Sequence, residues 1–331
     1  MHLITLPSGK TFAANDDETL LDAALRSGVS LPYSCRTGRC STCRGQVTSG
    51  STRALHDESG LTAAERETNN VLSCVRSATS DVTLDVEELA DAHLFPPRTV
   101  ACRIQAAERL STDVVRVRLR LPPTAQFSYR PGQYVDVIGT GGMRRSYSIA
   151  NAQTVDRHIE LHIRQVEAGV MSAYWFDAAK VDDLLRLHGP LGTFFLRDIA
   201  GLDLVFLATG TGIAPVKAIL EGLAQSPDAA RPRTVTVYWG GRKPADLYWA
   251  PEMTAFAVRF VPVLSRADAS WDGARGHVQH ALLADAPDLA GTAVYACGSD
   301  AMIHDAHAQL VMAGLPERRF HSDAFVCSAA A

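Results

Sequence analysis

No apolar run among the 331 residues approaches the roughly 20 that a membrane-crossing helix needs, so no membrane role is expected. The opening residues, Met1-His2-Leu3-Ile4-Thr5-Leu6-Pro7, lack a basic segment followed by an apolar core. They do not read as a secretory signal, and a cytoplasmic protein is expected. Excess positive charge is missing too: 32 Lys and Arg against 36 Asp and Glu leave a net charge of −4, which does not suggest a nucleic-acid partner. There is no G-x-S-x-G elbow and so no sign of acyl transfer. Internal repeats and long low-complexity tracts are absent. Seven cysteines are an odd number, which argues against a complete disulfide framework and suits a reducing compartment. What remains is an ordinary globular composition, 47% hydrophobic and 21% charged, in a chain long enough for about two or three domains.

Four of the cysteines are spaced for chemistry. Cys35, Cys40 and Cys43 form C-x4-C-x2-C, and Cys74 follows at a distance. This is the plant-type ferredoxin spacing, which holds a 2Fe-2S cluster through four thiolates. Gly38 allows a positive φ in the tight loop, and small Ser41 and Thr42 let amides approach the sulfurs. Arg36, Arg39 and Arg44 stand beside a cluster whose negative charge needs compensation. A zinc site favours paired C-x2-C units, and only Cys40 and Cys43 make one. The chain is therefore expected to move single electrons.

Three regions follow one another. Residues 1–92 read as a small α+β unit. It has a hairpin through Ser8-Gly9, a helix from Thr19 to Arg26 that stops at Gly28, and a closing strand over Val82–Val86. Pro96 and Pro97 mark a linker over residues 91–98. Residues 99–198 are all-β. Val115 to Leu121 alternates without error, with three Arg on a solvated face, and residues 133–138 and 158–166 repeat the pattern, as in a barrel. From residue 199 the pattern becomes βαβ. The continuous apolar run Leu204–Ala208 suits a central parallel strand, and further strands are expected at residues 234–239 and 293–296. Ser328 to Ala331 read as a frayed end.

Two short motifs suggest nucleotide binding. Thr209-Gly210-Thr211-Gly212-Ile213-Ala214-Pro215 follows the central strand. Its glycines would admit a pyrophosphate to the amides of a helix N-terminus, with Pro215 in the first turn. On its own the loop reads equally well as a tight strand-to-helix turn. In the β region, Arg144-Arg145-Ser146-Tyr147-Ser148-Ile149 offers a flat ring and a phosphate-pairing guanidinium, but alone it reads as an ordinary strand. Taken in order, Arg145-x-Tyr147-Ser148, Gly169-x-x-Ser172, Gly210-Thr211-Gly212-x-x-Pro215 and Cys297-Gly298 resemble the ferredoxin-NADP reductase superfamily. With the cysteine loop in front, nearly the whole chain resembles the reductases that pass electrons from NAD(P)H through FAD to a 2Fe-2S cluster.

That resemblance implies a fold of three parts. They are an N-terminal β-grasp ferredoxin domain, an antiparallel β-barrel FAD domain and a C-terminal parallel α/β nucleotide domain (residues 199–331). It implies that Cys35, Cys40, Cys43 and Cys74 hold the cluster, and that Arg145, Ser146, Tyr147 and Ser148 bind FAD, with Tyr147 on the ring and Ser148 near its reactive nitrogen. Gly169, Val170, Met171 and Ser172 would hold the FAD pyrophosphate. Gly210, Thr211, Gly212 and Pro215 would hold that of the pyridine nucleotide. Cys297 and Gly298 would lie by the nicotinamide, Ser148 and Cys297 being the catalytic pair, and Phe325 would cover the other flavin face. A hydride donor and a one-electron cluster need flavin between them, because flavin deals with both.

The acceptor is narrower only by similarity. Residues 121–125, Arg144–Asn151 and Ser322–Val326 resemble the CDP-6-deoxy-L-threo-D-glycero-4-hexulose-3-dehydrase reductases, which feed a pyridoxamine-phosphate dehydrase in 3,6-dideoxysugar synthesis. Oxygenase reductases, of the phenol, benzoate or methane hydroxylase type, share every cofactor motif. A non-catalytic iron–sulfur carrier or redox sensor is the reading from a different class, and the intact Arg145, Tyr147, Ser148 and Gly210–Gly212 argue against it. NADH is the expected donor, although Arg242 and Lys243 after the second βαβ strand would suit NADPH, with Asp246 close enough to offset them. Cys102 and Cys327 read as inert thiols. His277 with His280, and His304 with His307, read as solvated or capping residues, since neither pair has a third ligand nearby.

Overall fold

The computed structural model describes residues 1–89 and 94–325, and they fall into two contact units. Cys327 and the expected frayed end lie outside the described residues, as do residues 91–93 of the expected linker. Of the described residues, the first unit comprises 1–89, 94 and 323–325, and the second comprises 95–322.

In the first unit, β1 (His2–Thr5) and β2 (Thr11–Ala14) form a hairpin that places Ile4 opposite Phe12, both in the core, with Gly9 at φ 83° in the turn. The hairpin is followed by α1 (Leu20–Arg26). Thr19 caps it by accepting from the Asp22 N–H, so the expected helical start is the cap, and Leu20, Leu21, Ala23 and Ala24 are buried. After the cysteine loop come β3 (Arg44–Ser49), β4 (Thr52–Ala54), α2 (Ala63–Glu67), β5 (Asn70–Leu72), β6 (Arg76–Ala78) and β7 (Val82–Asp85). The main sheet runs β2-β1-β7-β3-β5, with β1 and β7 parallel at its centre. The first and last strands of the unit thus lie side by side, and the cysteine loop is held between α1 and β3.

The second unit begins with an antiparallel sheet. It contains β8 (Arg98–Arg109), β9 (Val114–Arg120), β10 (Tyr134–Ile138), β11 (Arg144–Ser148) and β12 (His158–Arg164). A short helix, α3 (Val170–Ala173), runs on as a π turn over Tyr174–Ala178 and leads to β13 (Leu184–Leu191). Strand order is β11-β10-β13-β8-β9-β12, and a bridge between Ile149 and Leu161 brings the two edges together into a barrel. Alternation makes this possible: Val115, Val117 and Leu119 of β9 face Ile159, Leu161 and Ile163 of β12 inside it. Cys102 is buried among them, and burial raises its thiol to about 12, as an inert thiol requires.

The rest of the unit is α/β. It contains β14 (Asp203–Thr209), α4 (Ile213–Ala224), β15 (Thr234–Gly241), β16 (Arg259–Leu264), β17 (Ala274–Arg275), α5 (Val278–Ala284), β18 (Thr292–Gly298), α6 (Asp300–Met312) and, as far as Ser322, β19 (Phe320–Ala324). Strand order is β17-β16-β15-β14-β18-β19. Leu204 to Ala208 are all buried because β14 is central and covered on both faces. The chain leaves β14 toward β15 and returns on its other side as β18. The topological switch point of the parallel sheet therefore lies between β14 and β18, and ligands of such sheets bind at the carboxyl ends there. No helix among the described residues is long and apolar enough to cross a membrane.

Candidate functional site

The cysteine loop from Ser34 to Cys43 has no helix or strand of its own. Three of its residues, Arg36, Gly38 and Ser41, take left-handed backbone (φ 57°, 75° and 58°). Two of these are not glycine, so the surrounding contacts hold them there. A side chain on Gly38 would put its Cβ 2.1 Å from the Asp57 carbonyl oxygen, so the loop tolerates only glycine at that point. The Ser41 hydroxyl is tied to the Gly60 carbonyl.

Folding this loop against the β5–β6 turn gathers the four thiols in two pairs. Cys35 is hydrogen-bonded to Cys40, and Cys43 to Cys74. Cys40, Cys43 and Cys74 are buried, whereas Cys35 is half-buried. Amides point at the sulfurs: Cys35 N–H lies 3.5 Å from Cys40 Sγ, Thr37 N–H lies 3.4 Å from Cys35 Sγ, and Gly38 N–H serves Cys74. Cys35 is lowered to about 5, first by its bond with Cys40 and then, against burial, by the Thr37 and Arg39 groups. The bonds to Cys35 and Cys74, together with burial, push Cys40 and Cys43 up. Beside Cys74, the buried Ser73 hydroxyl has no hydrogen-bond partner.

Among the described residues no three His, Cys, Asp or Glu side chains are placed to hold a single metal ion. Two thiol pairs in a nest of amides do suit the two irons of a 2Fe-2S cluster, at two thiolates each. The donor set fits that group and not a mononuclear zinc. The arginines contribute less charge than expected, because Arg36 is paired with Asp22 and Arg44 with Glu65. Amide dipoles are the nearer compensation.

On the barrel, β10 and β11 pair with Val135 opposite Tyr147 and Asp136 opposite Ser146. Arg145 and Tyr147 therefore share one face of β11, and Arg144, Ser146 and Ser148 share the other. The Ser146 hydroxyl donates to Asp136 Oδ1 at 2.6 Å, so it braces the strand. Arg145 is exposed, and Ser148 is buried at the strand end. Trp175, buried in the π turn, donates from Nε1 to the Tyr147 hydroxyl at 3.1 Å and meets its ring edge-on. Gly169 stands at the N-cap of α3, where the first amides of a helix lack internal partners. The Ser172 hydroxyl is turned back to accept from Val166 N–H at 2.9 Å, Met171 is buried and Val170 is exposed. An exposed guanidinium beside a ring fixed through its hydroxyl, with free helix amides, suits a flavin nucleotide.

At the switch point two loops touch backbone to backbone. A Cβ on Gly212 would lie 2.2 Å from the Cys297 carbonyl oxygen, and one on Gly298 (φ 123°) would lie 2.4 Å from Thr209 Oγ1. Thr209 Oγ1 accepts from Ser299 N–H at 2.9 Å. Gly210, Thr211 and Gly212 form a turn that runs directly into α4, with Pro215 in its first turn, and Cys297 is fully buried. Trp239 at the end of β15 donates from Nε1 to the Gly210 carbonyl at 2.9 Å. Arg164 Nη1 stands 3.2 Å from where a Gly210 Cβ would be, which puts a cation beside the loop.

Comparison with known proteins decides the family. A 2Fe-2S iron–sulfur cluster binding domain model matches residues 4–79, an oxidoreductase FAD-binding domain residues 101–196, and an oxidoreductase NAD-binding domain residues 206–308. A CDP-6-deoxy-L-threo-D-glycero-4-hexulose-3-dehydrase reductase of Yersinia pestis is 42% identical over 97% of each chain. The chain belongs to the 2Fe-2S/FAD reductases of the ferredoxin-NADP reductase superfamily. The ferredoxin–NAD(P)(+) reductase component of the naphthalene 1,2-dioxygenase/salicylate 5-hydroxylase systems of a Ralstonia species is 33% identical over 98% of each chain. The crystal structure of an Amycolatopsis cytochrome P450 reductase superposes with a TM-score of 0.72 at 32% identity, covering 98% of this chain and 99% of that one.

This reductase is thus an NAD(P)H-dependent oxidoreductase with FAD and a 2Fe-2S cluster, built as a ferredoxin domain, a flavin barrel and a parallel nucleotide-binding sheet, and it passes electrons to a partner. Thr209 opens the glycine motif already read in the sequence, whereas Trp175, Asp136, Trp239 and Arg164 carry no such local signal. Phe325 follows β19 and is exposed. His277 stands at the N-cap position of α5 without a side-chain cap bond, and His304 and His307 face Asp300 and Glu317.

Proposed function

We propose that the reductase takes electrons from NADH and delivers them to a pyridoxamine-phosphate-dependent CDP-4-keto-6-deoxyglucose 3-dehydrase in the cytoplasm. The 42% identity with the Yersinia pestis dehydrase reductase, sustained over 97% of both chains, carries this reading. The second reading is an oxygenase reductase, which the 33% identity to the Ralstonia component favours.

Within this function residues 1–92, 99–198 and 199–331 act as the cluster, flavin and nucleotide domains. Cys35, Cys40, Cys43 and Cys74 hold the cluster. Arg145 pairs with the FAD phosphate, Tyr147 stacks on its ring with its hydroxyl fixed by Trp175, and Ser148 stands by the reactive nitrogen. The amides from Gly169 to Ser172 take the FAD pyrophosphate. Those from Gly210 to Gly212, at the start of α4, take the pyrophosphate of NADH, while Cys297 and Gly298 define the wall on which its nicotinamide rests. Phe325 covers the flavin. Bound flavin accepts a hydride and releases electrons singly, which is why the chain provides sites on both sides of it.

The choice of NADH rests on Asp246. Its Oδ2 accepts from the amides of Arg242 (2.8 Å) and Lys243 (3.2 Å) after the second strand of the parallel sheet, and a carboxylate in that loop supports NADH over a nucleotide with a 2′-phosphate. Reconstitution decides the acceptor. NADH oxidation should depend on both the dehydrase and its CDP-4-keto sugar. Turnover with a phenol hydroxylase component and none with the dehydrase would overturn the assignment.

A further inference from the structure

The outward face of β12 carries Glu160, His162 and Arg164 at alternate positions. The first two are buried beneath the nucleotide-binding half of the same unit. A carboxylate and an imidazole in such a place need partners. Glu160 has Lys217 Nζ at 3.1 Å, His162 Nε2 at 3.1 Å and Arg118 Nε at 3.4 Å. Lys217, two residues beyond Pro215 on α4, also reaches Glu221 Oε1 at 2.7 Å and the Ala150 carbonyl at 2.9 Å. From the other nitrogen, His162 Nδ1, the Tyr248 hydroxyl is 3.3 Å away. The Tyr248 ring meets Trp239 edge-on at 5.1 Å, and Trp239 holds the Gly210 carbonyl.

The proton positions follow from the partners. Burial alone would raise the Glu160 carboxyl, but the bond from His162 and the Lys217 charge outweigh it and hold it at about 2. A carboxylate only accepts, so His162 donates to it from Nε2. Burial keeps His162 neutral against the pull of Glu160. A neutral imidazole has one N–H, so Nδ1 accepts and the Tyr248 hydroxyl donates to it. Each link of the chain has one direction.

We propose that Glu160, His162 and Tyr248 are positioning residues that hold the Gly210–Gly212 loop at a fixed place relative to the barrel, and so set the reach of the nicotinamide to the flavin. The proposal rests on the reading of that loop as the pyridine-nucleotide site. Small displacements of a reacting group are expensive in rate, so breaking one link slows hydride transfer before it disturbs the fold.

The test is stopped-flow reduction of the holoenzyme flavin by NADH in Tyr248→Phe, His162→Phe and the double variant. Phe fills the space of the imidazole but offers Tyr248 no acceptor, and Glu160 keeps Lys217 and Arg118, so both changes cut the same link. Each single variant should lower the limiting reduction rate about tenfold, and the double variant should lose no more than either, with FAD content and flavin potential unchanged. Rates within about twofold of the parent, losses that multiply in the double variant, or a loss that tracks FAD content would overturn the proposal. Gly212→Ala, run alongside, separates the two claims. If it reduces flavin at the parental rate, the reading of the loop fails. If it is slow while Tyr248→Phe and His162→Phe are not, the positioning claim alone fails.

Discussion

At the scale of single residues, the structure explains why certain positions admit one side chain. Gly38 combines a left-handed backbone with an Asp57 carbonyl in the place of a Cβ. Gly38→Ala should therefore cost at least about 1–2 kcal/mol from the backbone alone and reduce iron content, as thermal denaturation and iron analysis of the purified protein would show. Arg145 is the opposite case. It is exposed, its only described hydrogen bond is to the neighbouring Arg144 carbonyl, and the fold does not depend on it. Arg145→Ala should leave the melting temperature of the apoprotein unchanged. It should weaken FAD by roughly tenfold to a hundredfold, the worth of a charge-assisted contact of about 1.5–3 kcal/mol. Full retention of FAD after dialysis would show that Arg145 does not bind it.

At the scale of elements, β12 shows what was legible and what was not. Its alternation marks a strand in the sequence, and so does that of β9, because one face of each lines the barrel. The cysteine loop and the Gly210–Gly212 turn were legible for another reason: their chemistry depends on spacing between near neighbours. The Tyr248–His162 bond joins residues 86 apart, and the Trp175–Tyr147 bond joins residues 28 apart. Such contacts exist only once the chain has folded and leave no period to read. The charge roles of Arg36 and Arg44 were misjudged for the same reason, since their partners Asp22 and Glu65 come from other elements.

The outer face of β12 also makes a pH prediction. His162, facing Glu160, Lys217 and Arg116, has its pKa lowered chiefly by burial, so the folded state resists the proton that an unfolded histidine takes up below about 6.5. Stability from this site is complete above that pH and is lost as pH falls below it, by up to about 1.4 kcal/mol per unit. Lowering the pH from 7.5 to 5.5 should therefore cost the parent more melting temperature than it costs His162→Gln, as paired thermal scans would show. Equal losses would mean that His162 is protonated in the folded protein.

At the scale of the molecule, cluster and nucleotide sites occupy different contact units. Cys40→Ser should abolish the cluster yet leave FAD bound and flavin reduction by NADH near the parental rate, while cytochrome c reduction collapses. Loss of FAD in this variant would contradict the division of labour. The donor site is tested by kcat/KM for the two nucleotides with ferricyanide, where NADH should lead. A tenfold preference for NADPH, about 1.4 kcal/mol, would make Arg242 and Lys243 a phosphate clamp instead. The most direct test of the whole account is an anaerobic titration of the holoenzyme with NADH, followed by absorption and electron paramagnetic resonance. The account predicts that the flavin bands bleach and that the signal of a reduced 2Fe-2S cluster then appears. Bleached flavin beside a cluster that stays oxidised would contradict it.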